Sequence, residues 1–292
     1  MLFSFMLKQA MSNKYYVYFL LIIGCLFAQG TFSRSYIVQT EHGFIDYSNR
    51  IIICRGTANI VEKQPVDNTF ELVEKNLKLA KGQARTQARK NLVEIVKKVN
   101  FDGRLVGDLM MDEPLIQNRV ESLIGSAYQQ GEIEYLEENK VAIALAVRMS
   151  GLAEILVDVE GYISEDAPLP AYLMTRTTVP KSERVSGVVI DAREHRVDPS
   201  MSPEIIDMQG TLVYGTIHFT RSKSVNRGPV GYAYSMDDKN VGQRVGANPL
   251  VVEAVGFLDD DIYITSMDGE KVRDAEKNFG VLSNCRVMFL LH

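Results

Sequence analysis

The longest helical pattern of hydrophobic positions in this chain runs from residue 70 to residue 99. Apolar or small residues recur there at spacings of three and four, which places them on one helix face: Val73, Leu77, Ala80, Ala84, Ala88, Leu92, Ile95 and Val99. Asn68 with Glu71 forms a capping pattern before the helix, and residues 100–103 supply a stop signal. The alanines in the middle of the stripe predict close packing against another backbone.

Two segments with alternating small or apolar residues are the expected partners of this helix. Residues 51–61 place Cys54 and Gly56 on one strand face, and residues 141–149 place Ala142, Ala144 and Ala146 on one face. The same segment also carries four larger residues on its other face: Val141, Ile143, Leu145 and Val147. A weaker helix over 114–124, a hairpin over 132–149 and a short helix over 152–157 follow.

The pattern predicts an α+β protein with an N-terminal helix-on-sheet domain over residues 45–160, preceded by an irregular leader over 31–50. Residues 161–184 contain Pro168, Pro170 and Pro180, which indicates a linker. Residues 185–292 alternate short strands with turn residues and predict a β-rich C-terminal domain. Its predicted strands are 187–192, 212–219, 230–235 and 250–257. A βαβ unit over 262–291 ends the chain, with its last strand central in the sheet.

The first thirty residues have the layout of a secretory signal. Lys14 precedes an apolar run from Tyr15 to Ala28, which is short for a membrane span, and Met11 is an alternative start. Ile22 to Cys25 resembles a lipobox, in which Cys25 becomes the acylated N-terminus. The alternatives are ordinary cleavage after Gly30 and retention of the segment as an uncleaved anchor. The lipobox predicts a lipid anchor in the outer membrane, and ordinary cleavage predicts a periplasmic protein.

Composition and charge narrow the function classes. The formal net charge of −5 argues against binding of nucleic acid through the overall charge of the protein. The chain also has no convincing internal repeat. Cys54 and Cys285 lie in apolar strand-like runs, so we expect two buried unpaired thiols rather than a disulfide. The sequence is compatible with a homo-oligomer.

No catalytic motif is present. The chain has no Gly-x-Ser-x-Gly, no Ser-x-x-Lys, no Cys-x-x-Cys and no phosphate-binding loop, and its four histidines lack metal-ligand spacing. We therefore expect no enzyme activity, no cofactor and no metal. Asp191, Arg193 and His195 occupy alternate positions after a strand, and form either an acid/base site or a solvated sheet end with a salt bridge.

A second acidic cluster offers oxygen ligands. Asp259, Asp260 and Asp261, with Asp268 nearby, could hold Ca²⁺, but they lack the alternating spacing of a calcium loop. A solvated turn is the expected structure.

Basic residues follow the polar side of the long helix. Lys78, Lys81, Arg85 and Arg89 could bind anionic lipid headgroups or wall polymers, or could form an ordinary solvated face.

Three segments carry a resemblance to a known family: RGTANI at 55–60, KGQARTQARKNLVEIVKKV at 81–99 and VAIALAVRMSGLAEIL at 141–156. Residues 45–160 resemble the bacterial envelope lipoproteins of Lpp-twenty type, whose relatives include flagellum-associated outer-membrane lipoproteins. The resemblance implies a non-enzymatic assembly or binding module whose partners are envelope proteins or the cell wall, and it carries no catalytic residues. Segments such as SGVVIDAR and RVGANPLVVEAVG are similar to C-terminal regions of longer envelope proteins of this type. A periplasmic ligand-binding protein and a periplasmic enzyme are the alternatives.

Overall fold

The computed structural model of this protein describes residues 35–61, 70–157, 184–258 and 261–292. These residues belong to one unit, Ser35–His292, in which two separate sheets each carry helices. The predicted α+β class is confirmed. The predicted signal segment and most of the predicted linker lie outside the described residues.

The first sheet is antiparallel, with strand order β1-β2-β3-β8-β6 and with β7 also paired to β8. Its strands are β1 (Ile37–Thr40), β2 (Gly43–Asp46), β3 (Ile51–Asn59), β6 (Tyr128–Gln129), β7 (Glu134–Leu136) and β8 (Lys140–Arg148). The predicted irregular leader is therefore wrong in part, because β1 and β2 fall within it. Ile45 and the neighbouring Tyr36 and Tyr47 are buried, which holds this segment on the protein.

Helix α1 (Phe70–Lys97) packs on this sheet through the small-residue stripe that the sequence predicts. Ala80, Ala84 and Ala88 are buried. The Cys54 thiol on β3 donates to the Ala88 carbonyl oxygen at 3.0 Å. A Cβ atom added at Gly56 would lie 2.7 Å from Ala88 Cα. The backbones of β3 and α1 therefore touch where both sequences carry their smallest residues.

The partner face on β8 is not the alanine face. In the antiparallel register Cys54 lies opposite Leu145 and Gly56 opposite Ile143, so the larger residues of β8 share the helix-facing side. The prediction that Ala142, Ala144 and Ala146 face the helix is wrong. The large β8 side chains fill the space beside α1, because the closest approach of the helix is to β3.

The helices of the N-terminal half are completed by α2 (Val106–Asp112), α3 (Pro114–Gly125) and α4 (Met149–Leu156). The predicted helices over 114–124 and 152–157 correspond to α3 and α4, and the sequence pattern missed α2. A short pair, β4 (Asn100–Phe101) and β5 (Arg104–Leu105), makes the turn after α1.

The second sheet has strand order β11-β10-β14-β13-β9-β15-β12. Its strands are β9 (Val188–Asp191), β10 (Ile205–Asp207), β11 (Leu212–Tyr214), β12 (Gly231–Ala233), β13 (Leu250–Leu258), β14 (Asp261–Ile264) and β15 (Val287–Leu290). The four neighbours β13, β9, β15 and β12 are mutually parallel. The helices on this half are α5 (Arg221–Arg227), α6 (Lys239–Val245) and α7 (Ser266–Phe279).

Two features of the second half differ from the sequence prediction. The predicted βαβ unit is wrong, because β14 is antiparallel to β13 whereas β15 runs parallel to β9 and β13. Two strands, β13 and β9, also lie between β14 and β15. The last strand lies beside the edge strand β12, so it is interior but not central. The pattern also missed α5 and α6, which are only seven residues long, and it extended β11 into the 3₁₀ turn Thr216–His218.

Aromatic and ionic contacts join the two halves. Tyr36 and Tyr47 of the N-terminal half pack against Tyr232 of β12, with ring centroids 5.9 and 5.4 Å away. Arg221 at the start of α5 donates to the Glu154 side chain on α4 at 2.9 Å. The buried hydrophobic residues of both sheets form one continuous cluster.

Both described cysteines are free and buried, which confirms the prediction of two unpaired thiols. Burial raises the pKa of the Cys54 thiol to about 11 and also raises the pKa of Cys285. Both side chains are therefore neutral and packed at neutral pH.

Candidate functional site

The predicted basic residues of α1 form a row along one flank of the helix. Lys81, Arg85 and Arg89 are four residues apart, so their side chains follow one another on the same face. Each has a tertiary partner, which lies at the edge of the first sheet for Lys81 and Arg85 and at the end of α3 for Arg89. Lys81 Nζ lies 5.7 Å from the centroid of the Tyr135 ring, Arg85 donates to Gln129 Oε1 at 3.1 Å, and Arg89 donates to the Gly125 carbonyl oxygen at 3.2 Å.

This row, defined as Lys78, Lys81, Arg85 and Arg89, is not neutralised by nearby carboxylates. Within the described ranges none of the four side chains forms an ion pair. Glu94, the acidic residue further along the helix, pairs instead with Lys97 at 3.1 Å. The row therefore presents four positive charges on a scaffold that is fixed by tertiary contacts.

Three apolar side chains in the first turns of α1 are exposed. The 28-residue helix is about 42 Å long, whereas nine-residue β3 spans about 30 Å, so the helix is longer than the sheet it crosses. Phe70 is 83% exposed, Val73 50% and Leu79 56%, and the buried stripe begins at Ala80. The prediction that Val73 belongs to the buried face is therefore wrong.

A second arrangement lies where the parallel strands of the second sheet end. Asp191, Arg193, Glu194, Glu253 and His292 line an open, polar cavity of about 350 Å³. The carboxyl ends of parallel strands are a frequent ligand position in α/β sheets. Sequence reasoning missed Glu253. The signal that points to it is a single charged residue within the apolar run LVVEAVGFL.

The predicted trio at this sheet end is only partly assembled. Arg193 donates to both carboxylate oxygens of Asp191, at 2.8 and 2.5 Å, and these hydrogen bonds lower the pKa of Asp191. His195 Nε2 instead lies 3.0 Å from the Ala254 carbonyl oxygen, and its ring packs edge-on to Phe257. The Asp191–Arg193 contact is the salt bridge expected of the solvated sheet end, and the histidine has a different partner.

The acidic cluster shows no calcium geometry in the part that can be described. Asp259 and Asp260 lie outside the described residues. Asp268 lies in the first turn of α7, where it accepts from Thr265 Oγ1 at 2.7 Å and pairs with Lys271 at 2.8 Å. Elsewhere along the described segments, no three His, Cys, Asp or Glu side chains come together in a way that could hold a metal ion.

The predicted lipid-attachment residue Cys25 lies outside the described residues. Across the four described ranges, no helix combines the length and apolar character needed to cross a membrane.

Comparison with known proteins assigns a relationship to the second half of the chain. Residues 187–292 match the family model described as Treponema pallidum Tp0624, second domain. The matched span contains the whole second sheet, including the cavity at Asp191 and Glu253. No curated protein matches the chain. The match begins after residue 186, so the resemblance of residues 45–160 to Lpp-twenty-type lipoproteins stays a prediction.

Proposed function

We propose that this chain is a non-enzymatic protein of the bacterial cell envelope, which uses α1 to bind anionic lipid headgroups as part of an envelope assembly. The observation that carries the proposal is the basic row of α1. Its four charges lack carboxylate partners among the described residues, and three of its side chains contact the sheet edge or the end of α3. Cations fixed in this way attract an anionic surface without first having to break an ion pair.

The exposed end of α1 supports a lipid surface in particular. Phe70 and Val73 continue the apolar stripe beyond the sheet, next to the start of the basic row. A helix that combines exposed apolar residues with basic residues binds at a membrane interface by burying the former and pairing the latter with headgroups. A wall polymer would engage the basic row but would give the apolar end no comparable environment.

The sequence supports the compartment and the type of assembly. The signal-like segment and the resemblance of residues 22–25 to a lipobox favour the outer membrane or the periplasm. The resemblance to Lpp-twenty-type lipoproteins favours envelope proteins as partners, and a flagellar complex is the specific assembly that it favours. The match of residues 187–292 to a domain of a Treponema protein is compatible with a bacterial chain.

Sedimentation with lipid vesicles tests the proposal. We expect the protein to sediment with vesicles containing phosphatidylglycerol at about 0.1 M salt and to be released near 1 M, where the Debye length falls to about 3 Å. Replacing both Arg85 and Arg89 with glutamine should weaken binding about thirtyfold, since each basic residue near an anionic surface contributes about 1 kcal/mol.

The matched control removes two charges outside the basic row, one on α1 at Lys90 and one directly after its end at Lys98. Lys90→Gln with Lys98→Gln should leave vesicle affinity close to that of the wild type. Equal losses in the two double variants would mean that net charge, and not the basic row, causes the binding. Sedimentation with isolated cell wall but not with anionic vesicles would contradict the lipid assignment.

A periplasmic ligand-binding protein is the second candidate, and the polar cavity of about 350 Å³ at Asp191 and Glu253 favours it. The enzyme alternative built on Asp191 and His195 has less support, because the His195 ring bonds to the Ala254 carbonyl oxygen.

A further inference from the structure

A second cavity, of about 220 Å³, lies where the N-terminal half meets α5, α6 and β15. Its walls include Arg50 from the turn before β3, Arg227 at the end of α5 and Arg244 on α6. It shares no lining residue with the cavity at Asp191. Three arginines from three separate segments thus border one small space.

Backbone carbonyl oxygens, and not carboxylates, hold these arginines. Arg244 donates to the carbonyl oxygens of Val287 at 2.7 Å, Gly228 at 2.6 Å and Arg227 at 3.2 Å. Arg227 donates to the Arg244 carbonyl oxygen at 2.9 Å. Arg50 donates to the Asn226 carbonyl oxygen at 2.8 Å. A guanidinium has five N–H donors, so Arg50 and Arg227 each keep several that these bonds do not use.

The three charges lack a counter-ion in the described part of the chain, where no ion pair involves any of them. Burial lowers the pKa of Arg244 to about 10, and the positive charges of Arg227 and Arg50 act in the same direction. Burial also lowers the pKa of Arg50. Grouped cations that are partly removed from water are stabilised by an anion placed among them.

The surrounding backbone is shaped to keep the guanidinium groups in place. A Cβ atom at Gly228, whose φ is +75°, would lie 3.1 Å from Arg50 Cζ, and one at Gly231 would lie 2.7 Å from Arg244 Cδ. Arg50 itself has a φ of +55°, an uncommon value for a residue other than glycine. Strained backbone of this kind persists where the surrounding structure fixes it, and it is frequent at ligand sites.

We propose that this cavity binds a phosphoryl group, with Arg50 and Arg227 donating to its oxygens. Arginine is the residue best suited to planar, two-point recognition of phosphate oxygens. Asn240 and Gln243, which also line the cavity, add side-chain amide donors. The volume is well above the share of one water, about 30 Å³, and below the pockets of drug-sized ligands, about 300 Å³ or more. The site therefore takes a small phosphorylated group or the phosphate end of a larger molecule.

Titration calorimetry with inorganic phosphate on the full chain tests this site. The wild type should bind one phosphate saturably, and Arg227→Gln and Arg50→Gln should each weaken binding about tenfold, the effect expected of one charge-assisted hydrogen bond. Lys239→Gln removes an exposed charge that begins α6 and does not line the cavity, so it should leave affinity unchanged. If Arg50→Gln does not fold, Arg227→Gln alone tests the site, since the Arg227 side chain is held by its hydrogen bond to the Arg244 carbonyl oxygen.

Absence of saturable phosphate binding by the folded wild type would overturn the proposal, as would an equal loss in Lys239→Gln. Two further ligands identify the source of the phosphoryl group. Weaker binding of Arg227→Gln to vesicles containing phosphatidic acid would indicate a lipid headgroup, whereas a loss restricted to glycerol phosphate would indicate a soluble ligand. The proposal is independent of the basic row, since Arg85→Gln with Arg89→Gln should bind phosphate as the wild type does.

Discussion

Replacing Gly56 with alanine is expected to lower the free energy of unfolding by about 3 kcal/mol, the upper part of the range for overpacked cores. The added Cβ would lie 2.7 Å from Ala88 Cα and closer still to the Ala84 carbonyl oxygen and the Ala88 amide nitrogen. All three atoms belong to the backbone of α1, so no side chain can rotate away to make room. The whole helix must move off the sheet, which separates the apolar faces on both sides of the contact.

Gly82 provides the control, because it lies on α1, the helix that Gly56 contacts, and a Cβ there would have no atom within 4 Å. Gly82→Ala should therefore raise the free energy of unfolding by about 1 kcal/mol, the difference in helix propensity between the two residues. Denaturant unfolding of both variants measures the effects. A Gly56→Ala protein as stable as the wild type would show that the two backbones do not touch.

Replacing Tyr232 with alanine is expected to lower the free energy of unfolding by about 3–5 kcal/mol, the range for truncating a large buried aromatic side chain. Its ring packs against Tyr36, Tyr47 and Phe289. Its hydroxyl donates to the Ser200 carbonyl oxygen at 2.7 Å and accepts from the Ser200 amide at 3.0 Å. Tyr232→Phe keeps the ring contacts and loses the two hydrogen bonds, so it should cost only about 1–3 kcal/mol.

The same two variants report on the coupling between the halves. Tyr232 contacts residues of both halves, so its truncation should lower the melting temperature of the N-terminal and C-terminal halves together, in one transition. Hydrogen exchange followed separately in β3 and β9 distinguishes the outcomes. Loss of protection in β9 with unchanged protection in β3 would show that the two sheets unfold independently.

Helix α1 could be predicted because its signal is local. Periodicity over 28 residues and the run of small residues at Ala80, Ala84 and Ala88 specify both the helix and its close contact. The choice of face on β8 failed for a different reason. Both of its faces are apolar, so only the pairing of Cys54 with Leu145 decides which one meets the helix.

The strand order of the second sheet could not be predicted from local sequence patterns. Whether β14 and β15 are neighbours depends on β9 and β13, which enter between them from earlier in the chain. Strands β1 and β2 are short, and their partners are fixed by hydrogen bonds to β3 and by burial of Tyr36 and Tyr47. Neither kind of information is present in the spacing of apolar residues.

One candidate site could be predicted from the sequence, and the other could not. Lys78 to Arg89 could be recognised because four basic residues share one helix face, and that spacing is visible in the sequence. Arg50, Arg227 and Arg244 come from distant parts of the chain, and only the packing of α5 and α6 on the N-terminal half brings them to one cavity. Of the two alternatives for Asp191 and His195, the acid/base grouping does not form, because the chain turns after β9 and directs the His195 ring to the Ala254 carbonyl oxygen.

Acetylation footprinting of the lysines on α1 tests the central proposal most directly. With anionic vesicles at low salt, Lys78 and Lys81 should become protected from acetylation. Lys90, which lies on α1 outside the basic row, and Lys98, which directly follows the helix, should react as they do in the free protein. Neutral vesicles, or the same anionic vesicles near 1 M salt, should protect none of the four. Protection of Lys90 and Lys98 in place of Lys78 and Lys81, or no protection on vesicles that sediment the protein, would contradict binding through the basic row.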